Sequence, residues 1–179
     1  LTVHQLPSHQ DNLIWLIVYD DAGHCAVVDG PHADEVLAYC DAHGLTLTTV
    51  LNTHTHWDHI GVNKELAAAN RLGGLRVVGP ALDADAVPGI TEQVDEGDVI
   101  TLGAVEGRVM RTEGHIDGHV SFLFEDLLFC GDTLFAGGCG YLFDGPPAKM
   151  HASLTRLAAL PDHIKVCCAH EYTEDNLRF

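Results

Sequence analysis

Cations are scarce in this chain: 9 Lys plus Arg face 26 Asp plus Glu among 179 residues, a formal charge of −17 with histidine neutral. Nucleic acid and anionic membrane are therefore excluded as expected partners, because either needs a basic patch that the sequence does not supply. Long apolar runs are missing as well. None approaches the ~20 residues that a membrane span requires, and no basic, apolar leader stands at Leu1. A soluble, cytoplasmic protein is the expectation. Cysteine amounts to 6 residues, none with the paired spacing of a zinc ribbon. Cys167 and Cys168 are adjacent in a run that reads as a buried strand, where successive side chains point to opposite faces. All the cysteines are read as reduced core residues, which suits a reducing compartment.

Histidine, by contrast, is abundant, with 13 residues, and it is concentrated. Thr53-His54-Thr55-His56-Trp57-Asp58-His59 places three imidazoles and a carboxylate in one short segment, directly after the apolar run Leu45 to Leu51. Imidazole nitrogen and carboxylate oxygen suit zinc and neighbouring divalent metals. His54 and His56 are two apart and project to one side of an extended chain, whereas Asp58 and His59 need the chain to turn. One loop could therefore serve two adjacent ions. Further ligand candidates stand where other strands are expected to end: His115 and His119 in Gly114-His115-Ile116-Asp117-Gly118-His119, Asp132 after Phe129-Cys130-Gly131, and His170 after Cys168-Ala169. Ser121 and Ser153 lack the His and Asp context of a serine hydrolase.

Hydrophobic periodicity predicts strands over Leu1 to Leu6, Asn12 to Tyr19, His24 to Asp29 and Leu45 to Leu51, with shorter ones around Leu75 to Gly79 and Val105 to Arg111. A hairpin is expected from His119 to Phe124 and Leu127 to Phe129, and a last strand over Lys165 to Ala169. Helical spacing runs from Ala33 to His43-Gly44, near Asn63 to Arg71, and through Met150, Leu154, Leu157 and Ala158. A final helix is expected to begin at Thr173 as its cap and to be still running at Phe179. Pro80 to Asp98 shows no clear period. Periodicity alone gives an α/β or α+β chain.

The set His54, His56, Asp58, His59, then His115, Asp132 and His170, in that order and with these gaps, resembles the metallo-β-lactamase superfamily. Within it, Asp11-Asn12-Leu13-Ile14-Trp15, Leu51-Asn52-Thr53-His54, Leu128 to Phe135, Gly138-Cys139-Gly140 and Val166 to Thr173 resemble bacterial glyoxalase II, the hydroxyacylglutathione hydrolases. The resemblance covers nearly the whole chain. It implies an α/β (α+β) fold, the four-layer αββα sandwich, as a single metallo-hydrolase domain over residues 1–179 that lacks the family's C-terminal glutathione-binding helical region.

It also implies two divalent metals, zinc foremost and iron or manganese as alternatives. His54, His56 and His115 would bind the first, Asp58, His59 and His170 the second, and Asp132 would bridge them. Asp58 would orient a metal-bridging hydroxide that attacks S-D-lactoylglutathione, a small-molecule thioester, to give glutathione and D-lactate. Tyr141, Phe143 and Tyr172 match substrate-binding positions, and His119 would support a ligand rather than be one. Tyr141 stands where the family commonly has Arg or Lys, Glu113 where Pro is usual and Ile116 where Thr is usual. The alternative readings are a mononuclear iron persulfide dioxygenase, a lactonase or β-lactamase-like hydrolase, and a metal-binding domain without efficient turnover.

Overall fold

The structure, a computed structural model, describes residues 1–178; Phe179, where the last helix was expected to continue, lies outside the described residues. The chain opens as an antiparallel meander, β1 (Thr2–Ser8), β2 (Asn12–Val18) and β3 (His24–Val28), and then crosses through helix α1 (Ala33–His43) to the parallel strand β4 (Thr46–Leu51). Helix α2 (Gly61–Ala68) leads to β5 (Arg76–Pro80), and β6 (Glu92–Val94) completes a six-stranded sheet in sequential order. The second sheet begins with β7 (Val99–Leu102), β8 (Val105–Arg111), β9 (Val120–Phe124) and β10 (Leu127–Gly131). A ribbon of β11 (Leu134–Phe135) and β12 (Gly138–Cys139) and helix α3 (Pro147–Ala158) follow. Strand β13 (Lys165–Cys168) then joins β10 in parallel, giving the order β13-β10-β9-β8-β7, and α4 (Thr173–Leu177) comes last.

Strand alternation builds the layers. Along β3, Ala26 and Val28 face Val109, Phe122, Phe124 and Phe129 of the second sheet, whereas Cys25 and Val27 face Val36 and Cys40 of α1 and Val62 and Leu66 of α2. A third cluster, Met110, Leu128, Cys130 and Leu157, seats α3 on the outside of the second sheet. Helix, sheet, sheet and helix are thus held by three separate apolar interfaces, each fully buried side chain contributing about 1.5–3 kcal/mol. From Cys25 to Val28 in β3 and throughout β10 the residues are apolar and buried because both faces are covered. This is the expected αββα sandwich. No helix of the described residues is long and apolar enough to cross a membrane.

Several local expectations are corrected. Strand β1 runs past Leu6 through Pro7 because it is an edge strand, where a missing N–H costs the ladder nothing. Helix α2 starts at Gly61 rather than Asn63, since Gly61 lies against the Pro31 carbonyl where a Cβ would come within 1.9 Å. It stops before Arg71 because Asn70 turns left-handed (φ 54°). The unassigned stretch holds a short 3-10 turn (Ala84–Ala86) and β6, and β7 was missed because only Ile100 and Leu102 of its four residues are buried. Thr173 lies inside α4 and caps nothing; Glu171 instead accepts its N–H at 2.9 Å. Five cysteines are buried or half-buried, but Cys139, on the outlying ribbon, is exposed. Cys167 and Cys168 do part to opposite faces, one into the inter-sheet core and one toward α3.

Candidate metal centre

Each loop of the site leaves the carboxyl end of a strand: Asp29 follows β3, His54 to His59 follow β4, His115 follows β8, Asp132 follows β10 and His170 follows β13. That is the edge of an α/β sheet where ligands collect. The β4 loop is shaped by a reciprocal amide pair. Asn52 Nδ2 donates to Asn63 Oδ1 (3.1 Å) and to the His59 carbonyl (2.8 Å), while Asn63 Nδ2 donates back to Asn52 Oδ1 (2.9 Å). Both asparagines are fully buried, so the two ends of the loop are pinned together. Between them His59 turns back, its N–H bonded to the His56 carbonyl at 3.0 Å.

Two ligand groups result. His54, His56, His115 and Asp132 offer ligand atoms within 4.8 Å of one another, and so do Asp58, His59 and His170. In the first, His56 Nδ1 lies 3.1 Å from His54 Nε2 and 2.9 Å from His115 Nε2. Hydrogen bonds on the far side fix two of these rings. The His115 Nδ1–H donates to the Tyr141 carbonyl (2.7 Å) and the His54 Nδ1–H to Thr53 Oγ1 (3.0 Å), whose own proton goes to Asp29 Oδ2 (2.7 Å). Their Nε2 atoms therefore both turn lone pairs toward His56 Nδ1, a convergence of donor atoms that suits a cation. Burial, reinforced at His54 by His59 and His119, pushes the His54, His56 and His115 imidazoles down and keeps them unprotonated.

Asp132 joins the groups. Its Oδ2 lies 3.3 Å from His115 Nε2, and its Oδ1 lies 3.4 Å from His59 Nε2 and 3.3 Å from His170 Nε2. Asp58 Oδ2 is 3.5 Å from His59 Nε2 and 3.4 Å from His170 Nε2. His59 Nε2 and Asp132 Oδ1 are buried without a hydrogen-bond partner. Such orphans are rare in folded proteins, and imidazole nitrogen facing carboxylate oxygen is the donor set of a divalent ion. The residues therefore fit the metals that the sequence implies.

Burial pulls His59 and His170 down, but the carboxylates around them outweigh it. His59 rises well above the usual imidazole range, and His170 rises to about 10. Against the same burial, these rings and Asn12 hold Asp58 well below the usual carboxylate range, and His59 and His170 do the same for Asp132.

Outer partners orient the candidate ligands. Asp11 Oδ1 accepts the His170 Nδ1–H at 2.7 Å, and Asn12 Nδ2 donates to Asp58 Oδ2 at 3.0 Å. Asp29, left-handed at φ 55°, accepts the Thr53 N–H (2.8 Å) and O–H and lies 3.0 Å from His59 Nδ1. In the sequence, Asp11, Asn12, Asn52 and Thr53 stand out only as family positions with no role attached, and Asp29 and Asn63 belong to no motif. The usable signal was a carboxylate at the end of a buried apolar strand. Gly131 sits at the β10–β13 register shift with φ 49°, and a Cβ there would come within 2.4 Å of Thr53 Oγ1. Gly140 passes so close that a Cβ would lie 2.0 Å from the Asp132 carbonyl.

His119 is turned away from both groups. Its Nε2 accepts the Asp132 N–H at 3.2 Å, and its Nδ1 faces the hydroxyls of Thr112 (3.1 Å) and Thr133 (3.2 Å). Burial above all pushes its imidazole down to about 3. A group neutral when folded but protonated when unfolded costs stability as pH falls from about 6.5 toward 3, and that contribution is fully present above 6.5. Urea unfolding of the metal-free protein should accordingly show a lower midpoint at pH 5 than at pH 7, with a smaller difference in His119→Gln. An unchanged difference in that variant would remove His119 as the cause.

Three aromatic rings flank the ligands. Phe143 lies edge-on to His56 and His115 at 5.2 and 5.3 Å, Tyr141 lies 4.8 Å from Phe143, and the two are 60% and 73% exposed. Tyr172 is half-buried and stacked on His170 at 4.9 Å.

The chain belongs to the metallo-β-lactamase superfamily, whose model matches residues 11–170. More particularly, it is 47% identical to the hydroxyacylglutathione hydrolase of Maricaulis maris over 181 residues, covering 100% of the chain and 70% of the relative. Identity to the enzyme of that name from Methylococcus capsulatus is 48%, with the same coverage. Among solved structures, ETHE1 from Myxococcus xanthus superposes with a TM-score of 0.80 at 30% identity, covering 96% of this chain and 76% of that one. The chain is thus a metal-dependent hydrolase of glyoxalase II type whose His/Asp groups suit divalent ions.

Proposed function

We propose that the chain hydrolyses 2-hydroxyacyl thioesters of glutathione, S-D-lactoylglutathione foremost, to glutathione and the free hydroxy acid. The observation that carries this reading is the pair of ligand groups meeting at Asp132 in a chain 47–48% identical, end to end, to hydroxyacylglutathione hydrolases. His54, His56, His115 and Asp132 would hold one ion, and Asp58, His59, His170 and the same Asp132 the other. Zinc suits this imidazole and carboxylate set, which iron and manganese share. When bound, such ions acidify water to a nucleophile at neutral pH and polarise a carbonyl.

The chain's own residues do the rest. Asp58, kept ionised and held by Asn12, orients the attacking water by accepting its hydrogen bond. Burial and the Asp11, Asp132 and Asp58 carboxylates push the Tyr172 phenol up to about 12, so it stays protonated and can donate to substrate. Phe143 and Tyr141 offer apolar faces beside the first ligand group for the thioester chain. The leaving thiol has a pKa near ~8.5 and needs no dedicated acid. Residues 1–179 carry this as one metallo-hydrolase domain, and six free thiols suit the cytoplasm. A mononuclear iron oxygenase would leave Asp58, His59 and His170 without work.

Chelation should abolish hydrolysis of S-D-lactoylglutathione, followed by thiol release, and two equivalents of zinc per chain should restore it. Absence of turnover in fully metallated protein would sink the substrate assignment.

A further inference from the structure

We infer that Glu113 and Ser153 form a clamp by which helix α3 positions His115. The inference rests on the reading of His115 as a metal ligand. His115 sits in the loop between β8 and β9, closed at its base by the Thr112 N–H bonded to the His119 carbonyl at 2.8 Å. Gly114 and Gly118 within it stand at φ 136° and 77°, conformations that a loop with two glycines can exchange for others unless it is fastened.

The fastening is specific. Glu113 Oε1 reaches across the loop to accept the Gly118 N–H at 3.0 Å, and the Glu113 carbonyl accepts the Ser153 hydroxyl at 2.6 Å. Ser153 is buried on α3. One turn earlier, Met150 lies flat against Gly114, so close that a Cβ there would come within 2.5 Å of the Met150 Cα. From the opposite side, the Tyr141 carbonyl holds the His115 ring at 2.7 Å, and the Phe143 N–H holds the His115 carbonyl at 2.9 Å. The 141–143 segment thus aims the ring, and α3 fixes the loop from which it is aimed. Glu113 works here as an acceptor, not as a charge, so an amide oxygen should serve as well.

The test measures Zn2+ dissociation constants by chelator competition, with Co2+ absorption spectra as a second readout of ligand geometry. Glu113→Ala and Ser153→Ala should each weaken one of the two binding steps about tenfold or more, in the range found for groups that orient a ligand. Glu113→Gln should bind like the parent. Leu157→Ala, which opens the apolar contact of α3 with Met110, Leu128 and Cys130, should lower the melting temperature and leave both constants unchanged.

The clamp is overturned if Glu113→Ala and Ser153→Ala bind both ions like the parent. It is equally overturned if Glu113→Gln is as weak as Glu113→Ala, or if Leu157→Ala weakens binding as much as they do. His115→Ala separates the two layers of the argument: if it spares both binding steps, the ligand reading has failed. If it abolishes one step while the clamp variants bind normally, only the clamp has failed.

Discussion

Asp132→Asn is expected to lower turnover by about three orders of magnitude and to reduce bound metal from two ions per chain to one or fewer. Among the described residues, Asp132 alone is placed against both candidate ligand groups, through Oδ2 toward His115 and Oδ1 toward His59 and His170. An amide keeps the shape and loses the charge. Paired dications repel strongly without an anion between them, and loss of an ion worth several kcal/mol at the transition state, about 4, corresponds to about a thousandfold. Metal analysis by mass spectrometry, with hydrolysis rates and far-ultraviolet circular dichroism, checks this. A folded variant with two ions and near-parental turnover would falsify the bridging role.

Asp29→Ala should produce the largest loss of stability, about 3–5 kcal/mol, seen as a melting temperature lower by on the order of 10 °C. Asp29 is buried and accepts two bonds from Thr53. Its removal orphans a buried N–H and a buried O–H at about 1–3 kcal/mol each. Alanine in the left-handed region that Asp29 occupies adds about 1 kcal/mol. Metal affinity should fall with it, because Thr53 aims His54 and Asp29 lies against His59. Asp29→Asn tolerates the backbone and keeps one acceptor, so it should lose about half as much. Calorimetry on both variants decides: equal melting temperatures for Ala and Asn would show that neither the turn nor the acceptor matters.

The main strands and the first helix were legible because burial writes itself into period: β2, β3 and β10 are largely apolar, β4 ends on buried Val50 and Leu51, and α1 closes on Gly44 in the left-handed conformation that only a few residues accept. What escaped was short or outlying. β7 is four residues with two buried, and the β11–β12 ribbon has only two residues in each strand. Thr173 looked like a cap because its type suits one, but a contact two residues back decided the helix start.

At the site the same division holds. The identity and order of the ligand candidates were readable because metal chemistry admits few side chains, and strand ends place them at one edge. The sequence by itself determined which donors are available, that acidic groups far outnumber basic ones and that strands and helices are mixed along the chain. Only the tertiary structure decided that Asp132 faces both groups, that His119 turns its nitrogen to a backbone N–H, and that Asp11, Asn12, Asp29 and Tyr141 lie against the candidate ligands or the residues that hold them. The physical reason is range. Period and composition report a residue's own environment, whereas a ring's tautomer and direction depend on partners as far away in the chain as Asp11 is from His170.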